Sequence, residues 1–463
     1  MKTNDLISTD KKAPEIDTAA FQSSLRGALL LPDQEGYNQS RTIWNAMIDK
    51  YPAMVVKCAG VSDVIAAVNF ARENQLVLAI KAGGHSFAGR STCDGGLLID
   101  LSAMKGVRVD PVKQTARVEA GALLADLDHE TQAFGLAVTA GVVSHTGIAG
   151  LTLGGGQGYL MNKFGLTIDN LLSVDMVLAD GSFVKASETE NKDLFWAIRG
   201  GGGNFGVVTS FEYKLHKVGP EVLAGMILYP LTQASELLQF YREYSMNTPD
   251  DMSVIAGIFT LPDGTKVFGF VVCWTGDIDE GNRQLEPLRA FTPPMLDLIA
   301  PGPYVQLQKS LDAAVPHGLQ RYNKMGYLPV IRDELIDIVV KNTEGISPYS
   351  MVLFNAMKGA VTRVDPEETP FPYRDQQWYF DITPQWADPQ EADSLIAWAK
   401  AFWAEVEPHT RGTAVNWLSP DDGLDRVKVA YGPNYSRLAK LKHRYDPDNF
   451  FHLNNNILPN ANG

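Results

Sequence analysis

The sequence predicts an α+β protein of two or three domains, and three observations carry that expectation. Short strand-like runs alternate with amphipathic helical ones from residue 53 onward. The chain has 463 residues, too many for one ordinary hydrophobic core. After Gly219-Pro220 the texture changes, and longer strand-like runs take over.

The elements follow in order. Residues 1–20 read as a polar leader. Ala53–Cys58 is a strand, and Ser62 is the expected N-cap of a helix that carries Val64, Ala67, Val68 and Ala71 on one face. Val77–Ile80 is a second strand running straight into Lys81-Ala-Gly-Gly-His-Ser86. Cys93-Asp-Gly-Gly96 then precedes the strand Leu97–Leu101. Consecutive amides in such a glycine turn form an anion-binding concavity, yet no Lys-Ser/Thr pair follows as a triphosphate loop requires. Leu123, Leu124 and Leu127 mark a helix that Gly135 stops. From Gly141 to Gly158 the chain is mostly glycine, small residues and isolated aliphatics. That composition is not expected to pack as a normal helix and suits close approach of backbone to a ligand. Asp193–Arg199 is a short helix ending at Gly200.

Gly201, Gly203 and Gly206 satisfy the G-x-G-x-x-G pattern, but a Rossmann fingerprint must open a helix. Here Val207, Thr209, Phe211, Tyr213 and Leu215 alternate as in a half-buried strand, so a nicotinamide site is rejected. Beyond residue 219, Leu223–Tyr229, Val267–Trp274, Tyr349–Phe354 and Trp378–Thr383 are strand-like and alternate with helical stretches. They predict a sheet backed by helices. Leu438, Leu441 and Tyr445 lie on one helical face that returns the chain to its first part.

Composition narrows the function. A net charge of −14 without any Lys/Arg cluster argues against nucleic-acid backbones and anionic membranes as partners. A small molecule is the expected partner; the oligomeric state stays open. The first ten residues lack an apolar h-region and no apolar run is long enough to cross a bilayer, so a cytoplasmic protein is expected. Cys58, Cys93 and Cys273 are too few for a disulfide framework and have no metal spacing. His145 stands without a second ligand at metal spacing, so no metal site is expected.

The three glycine segments in their order, together with Tyr431-Gly-Pro-Asn434, Tyr445-Asp-Pro-Asp-Asn449 and the tail Asn454-Asn-Asn-Ile457, resemble the berberine bridge enzyme-like branch of the vanillyl-alcohol oxidase superfamily of FAD enzymes, in its bacterial single-histidyl form. The likeness spans about residues 25–218 and 405–463. It implies a PCMH-type FAD-binding domain of two α+β subdomains over 1–218 (core about 50–218), a substrate-binding cap of antiparallel sheet backed by helices over 219–404, and a C-terminal segment, 405–463, returning to the FAD domain.

By composition alone His85 is a loop histidine bonded to backbone. The resemblance instead implies a covalent bond from His85 to the flavin 8α-methyl, which would fix the ring and tune its electronics. Many relatives attach the flavin a second time through a cysteine. Val143 stands at that position and Cys93 does not match it, so a single linkage is implied. Lys81, Ala82, Gly83, Gly84, His85 and Ser86 would wrap the pyrophosphate end, and Gly147, Gly150 and Thr152 would approach the cofactor. Val207 and Val208 would meet it through backbone, with Asn454 and Asn456 near the pyrimidine end. Gln157, Tyr159 and Trp417 fall where relatives approach the substrate.

A flavin oxidase also needs a base for the substrate O–H or N–H proton. Trp417 occupies the place of the family's usual tyrosine, and indole is a donor only. Three replacements are candidates. Tyr322 (with Tyr327) flanks Lys324, whose charge would lower a phenol pKa. Asn355 lies on a strand face with Met351 and Leu353, and Asp381 is a carboxyl inside an apolar strand. Tyr304, Gln306, Gln308, Tyr322, Trp378 and Trp386 would suit a polar ring substrate. The expected activity is oxidation of an alcohol, hemiacetal or amine carbon, with O2 reoxidising the flavin to give H2O2. Two alternatives are a dehydrogenase with another electron acceptor and a non-catalytic flavoprotein.

Overall fold

A computed structural model describes residues 17–461. Its first sheet has four strands, β1 (Ala28–Leu30), β2 (Met54–Lys57), β3 (Leu78–Lys81) and β4 (Leu97–Asp100), in the order β1-β2-β4-β3. β2 and β3 run parallel to β4 on either side. Burial on both faces explains the unbroken apolar run Leu97-Leu-Ile99. The glycine turn therefore leaves the C-terminal end of a buried parallel strand.

Helix α1 (Val61–Glu73) packs Val64, Ala67, Val68 and Ala71 into this core, as its spacing predicts. Its N-cap is Gly60 rather than Ser62. The carbonyl of Gly60 takes the first amides, and Asp63 turns back to accept from Arg26, Gly27 and Ala59.

The second sheet is antiparallel: β5 (Val107–Asp110), β6 (Thr115–Glu119), β7 (Leu171–Val177), β8 (Phe183–Ser187) and β9 (Val207–Lys214), in the order β5-β6-β9-β7-β8. The chain after Gly206 is thus the central strand of a sheet. Between β6 and β7 in the chain come α2 (Leu124–Gln132) and α3 (Ile148–Leu153). The second corrects the expectation of no regular helix between Gly141 and Gly158: Ile148, Ala149 and Thr152 bury one face of a single short turn-and-a-half.

An eight-stranded antiparallel sheet follows. It comprises β10 (Glu221–Pro230), β11 (Met252–Thr260), β12 (Lys266–Trp274), β13 (Leu296–Asp297), β14 (Ala300–Pro303), β15 (Lys324–Leu328), β16 (Met351–Ala356) and β17 (Trp378–Thr383). Its order is β13-β10-β12-β11-β16-β17-β15, with β14 also on β10. Alternation sorts its faces. Val352, Phe354, Phe380 and Ile382 join Leu237, Leu238, Leu335, Val339 and Phe402 of the covering helices in one core. Met351, Leu353, Asn355, Tyr379, Asp381 and Thr383 point the other way.

The C-terminal helix α4 (Tyr435–Tyr445) buries Leu438 and Leu441 against the first two sheets' core. A buried ion pair anchors it: Lys442 Nζ lies 2.6 Å from Asp446 Oδ2 and also donates to the carbonyls of Asn204 and Phe451. No helix among the described residues is long and apolar enough to cross a membrane.

Candidate active site

One long cavity runs between the glycine segments and the open face of the eight-stranded sheet. Ala82, Gly83, Gly84, His85 and Ser86 line it from the end of β3. Gly147, Gly150 and Gln157 line it from the second glycine segment, and Val207 and Val208 from the start of β9. Asn454, Trp417, Asn355, Tyr379 and Asp381 complete the wall.

The glycine loops meet backbone to backbone. A Cβ on Gly83 would sit 2.3 Å from the Gly147 amide nitrogen, and one on Gly147 would lie 2.4 Å from the Gly83 nitrogen. Only glycine allows that approach. At Gly150 and Gly203, by contrast, a Cβ would meet nothing within 4 Å, so the cavity opens directly onto bare backbone. Buried polar atoms without protein partners also line it: Arg90 Nε, Ser91 Oγ, Asn454 Oδ1, Asn455 Oδ1 and Asp381 Oδ1. Orphaned buried groups on a bare-backbone cradle fit a long ligand with polar ends and a flat ring, as FAD is. Arg90 and Ser91 were not anticipated; their signal was a polar pair directly after the turn at Gly89.

Several anticipated residues lie elsewhere. Lys81 is turned away beneath the loop, donating to the carbonyls of Ser40 and Thr42 beside Asp100. Thr152 pairs with the Tyr213 hydroxyl at 2.7 Å in the core. Tyr159 is buried in the apolar layer under the sheet, and Asn455 takes the lining position expected of Asn456. Tyr322 donates to Asp421 at 3.0 Å and does not line the cavity. Lys324 is held by Asp422 at 2.8 Å, and burial together with Asp421 raises the Tyr322 phenol rather than lowering it. Tyr304, Gln306, Gln308, Trp378 and Trp386 are likewise absent from the wall; Trp378 faces the helices, where its indole donates to Ser245.

Asp381 is the carboxyl that remains. It is 1% exposed, one oxygen accepts from Thr383 at 3.1 Å, and the other has no partner. Burial raises its pKa to about 7, with the Thr383 bond opposing. In register beside it stand Leu353 and, two pairs along on the same face, Asn355 opposite Tyr379. Trp417 faces this wall, its ring 5.7 Å from Phe87 and 6.3 Å from Tyr379. Val143 also lines the cavity, whereas Cys93 is buried elsewhere with its thiol pushed up to about 11 by burial.

His145 is not solitary. His85 Nε2 lies 2.7 Å from His145 Nδ1, and His317 brings a third ring, so that one nitrogen of each falls within 4.8 Å of the others. Trp44 stacks on His85 at 4.4 Å, and the Arg321 guanidinium lies over the Trp44 ring at 3.8 Å. Arg321 is buried without a carboxylate, satisfied by Gln385 and the carbonyls of Trp44, Pro316 and Leu319. Burial, the neighbouring histidines and Arg321 hold His85 well below its usual pKa. A fixed cation beside the three rings disfavours both a metal ion and a lasting positive charge on any of them.

Known proteins share this chain's sequence features and fold. A family model described as an FAD binding domain matches residues 52–187, and one described as berberine and berberine like matches residues 414–458. An FAD-linked oxidoreductase of Dictyostelium discoideum is 35% identical over 96% of this chain and 97% of its own. A xylooligosaccharide oxidase of Thermothelomyces thermophilus is 28% identical over 96% of each. The crystal structure of 6-hydroxy-D-nicotine oxidase from Arthrobacter nicotinovorans matches with a TM-score of 0.85 at 27% identity, covering 94% of this chain and 99% of that one.

Proposed function

The chain belongs to the berberine bridge enzyme-like FAD-linked oxidoreductases, and on that premise we propose that it is an oxidase of a small ring compound, with FAD attached through His85 alone and Asp381 as the proton acceptor. Residues 1–218 and 405–463 would form the cofactor unit and 219–404 the cap. When bound, the flavin supplies a hydride acceptor, and dioxygen restores it with release of H2O2.

The observation that carries this reading is Asp381: a buried carboxyl on the cavity wall, with one free oxygen and a pKa brought near neutrality. A base poised near the working pH is what removal of an alcohol or amine proton requires. The wall around it is mostly apolar, with Ile255, Val271, Met351 and Leu353 on the sheet and Trp417 opposite. Such a wall suits the faces of a ring, leaving Asn355, Gln157 and Asp381 to orient one or two polar substituents. The two named oxidases act, by their names, on a sugar oligomer and on a hydroxylated nicotine, so the architecture leaves the ring's identity to the wall.

The test is a panel of sugars, alcohols and cyclic amines read by peroxide release, followed by anaerobic stopped-flow reduction with any active compound. Reduction without peroxide on admission of air would replace the oxidase by the dehydrogenase reading. A fully loaded flavin that no compound reduces would reject catalysis.

A further inference from the structure

We propose that His145 is the proton acceptor for self-attachment of the flavin to His85, and that His317 passes the proton to solvent. The inference rests on the reading that His85 carries the cofactor. Its observations are the 2.7 Å contact between His85 Nε2 and His145 Nδ1, the adjoining ring of His317, and the exposure of His317 to solvent.

Attachment joins His85 Nδ1 to the flavin 8α-carbon. One methyl proton leaves that carbon, and its electron pair stays in the flavin, which is thereby reduced. The second proton lost is the one on His85 Nε2. Dioxygen then takes the electron pair and two protons as H2O2, restoring the oxidised flavin. Without an acceptor the newly bonded imidazole would remain a cation, buried beside Arg321, and that is a costly state. His145 Nδ1 stands at hydrogen-bond distance from the proton that must go.

The surroundings keep the relay moving. The charged and titratable groups around His145 are His85, His317, Arg321 and Asp312. Asp312 accepts from the Ser144 amide at 2.8 Å and the Ser144 hydroxyl at 2.6 Å, fixing the loop that presents His145. Burial and Arg321 lower both His145 and His317, so neither retains the proton near neutrality. His145 Nε2 is buried without a partner, and the His317 ring lies 5.0 Å from its own centroid to centroid. The acceptor site and the exit are thus on two different nitrogens of one ring.

Flavin-free full-length chain, made under riboflavin limitation, is mixed with FAD in air, and flavin retained after acid precipitation is followed in time. Wild type is expected to attach with a rate that falls as pH drops through the lowered histidine range, because His145 must be neutral to accept. His145→Ala and His145→Gln are expected to bind FAD, seen by quenched flavin fluorescence, yet to attach it about a hundred-fold more slowly. Added imidazole should restore attachment in His145→Ala. Attachment by either variant within about twofold of wild type overturns the inference. Should neither variant take up FAD, a wild-type rate that is flat between about pH 4 and pH 8 overturns it instead. A wild-type chain that releases all its flavin on acid precipitation refutes the His85 linkage itself, a different result, and this inference falls with it.

Discussion

At the scale of single residues, Asp381 carries the sharpest expectation. Burial keeps its carboxyl protonated up to about pH 7, and only the ionised form can accept a proton. Flavin reduction by a saturating substrate, measured anaerobically, should therefore rise with pH through about 7 and then level. Asp381→Asn should lower the plateau by roughly a hundred-fold or more and abolish the rise. Tyr322→Phe should leave the reduction rate unchanged, since that phenol is bonded to Asp421 away from the cavity. Asp381 attracted notice as a carboxyl inside an apolar strand and Tyr322 as a phenol beside Lys324, and the sequence could not rank them. Alternation placed Asp381 on a face with Tyr379 and Thr383, which is local information. The ordering of Tyr322 and Lys324 by Asp421 and Asp422 is tertiary and left no mark nearby. His317 escaped notice for the same reason: only folding brings it to His85 and His145.

At the scale of elements, two buried acids have opposite consequences. Asp128 on α2 accepts from Gln308 at 3.0 Å, its other oxygen has no partner, and burial lifts its pKa to about 7. A carboxyl raised on folding stabilises the folded chain below its unfolded pKa, and that contribution is lost as pH climbs toward the folded value. Asp128→Asn removes the titration. Relative to wild type it should gain about 1.4 kcal/mol per pH unit between about pH 5 and 7, read from denaturant midpoints. Asp446 instead has a full complement: Lys442 Nζ and the amides of Phe450 and Phe451. Lys442→Met should cost about 3–5 kcal/mol in the same measurement, because it strands a buried carboxylate. Strands and helices were the most legible part of the sequence, since their apolar periods are local. Helix ends were less so: the first turn of α1 is set by Gly60 and by Asp63 reaching across to Arg26 and Gly27.

At the scale of the whole molecule, the cofactor and the fold should stabilise one another. His85→Ala should leave FAD bound by the glycine cradle but free to dissociate. Its Tm should then rise with added FAD, as mass action requires, while the wild-type Tm stays constant. A wild-type Tm that also tracks added FAD would contradict permanent attachment. The glycine segments announced this cradle because bare backbone at Gly83 and Gly147 has few other uses. The sheet wall of the cavity was harder to read, since the ring-rich residues Trp378 and Trp386 point into the helices and the wall is made largely of aliphatic neighbours.

The strict in-and-out order of β16 and β17 has an evolutionary corollary. Met351, Leu353, Asn355, Tyr379 and Thr383 line the cavity, while Val352, Phe354, Phe380 and Ile382 hold the sheet to its helices. Selection can therefore rewrite the first set for a new substrate while leaving the second untouched. Descendants of such a sheet can diverge widely in chemistry at little risk to folding, and a library confined to those five positions should yield mostly folded, flavin-loaded variants with altered preferences.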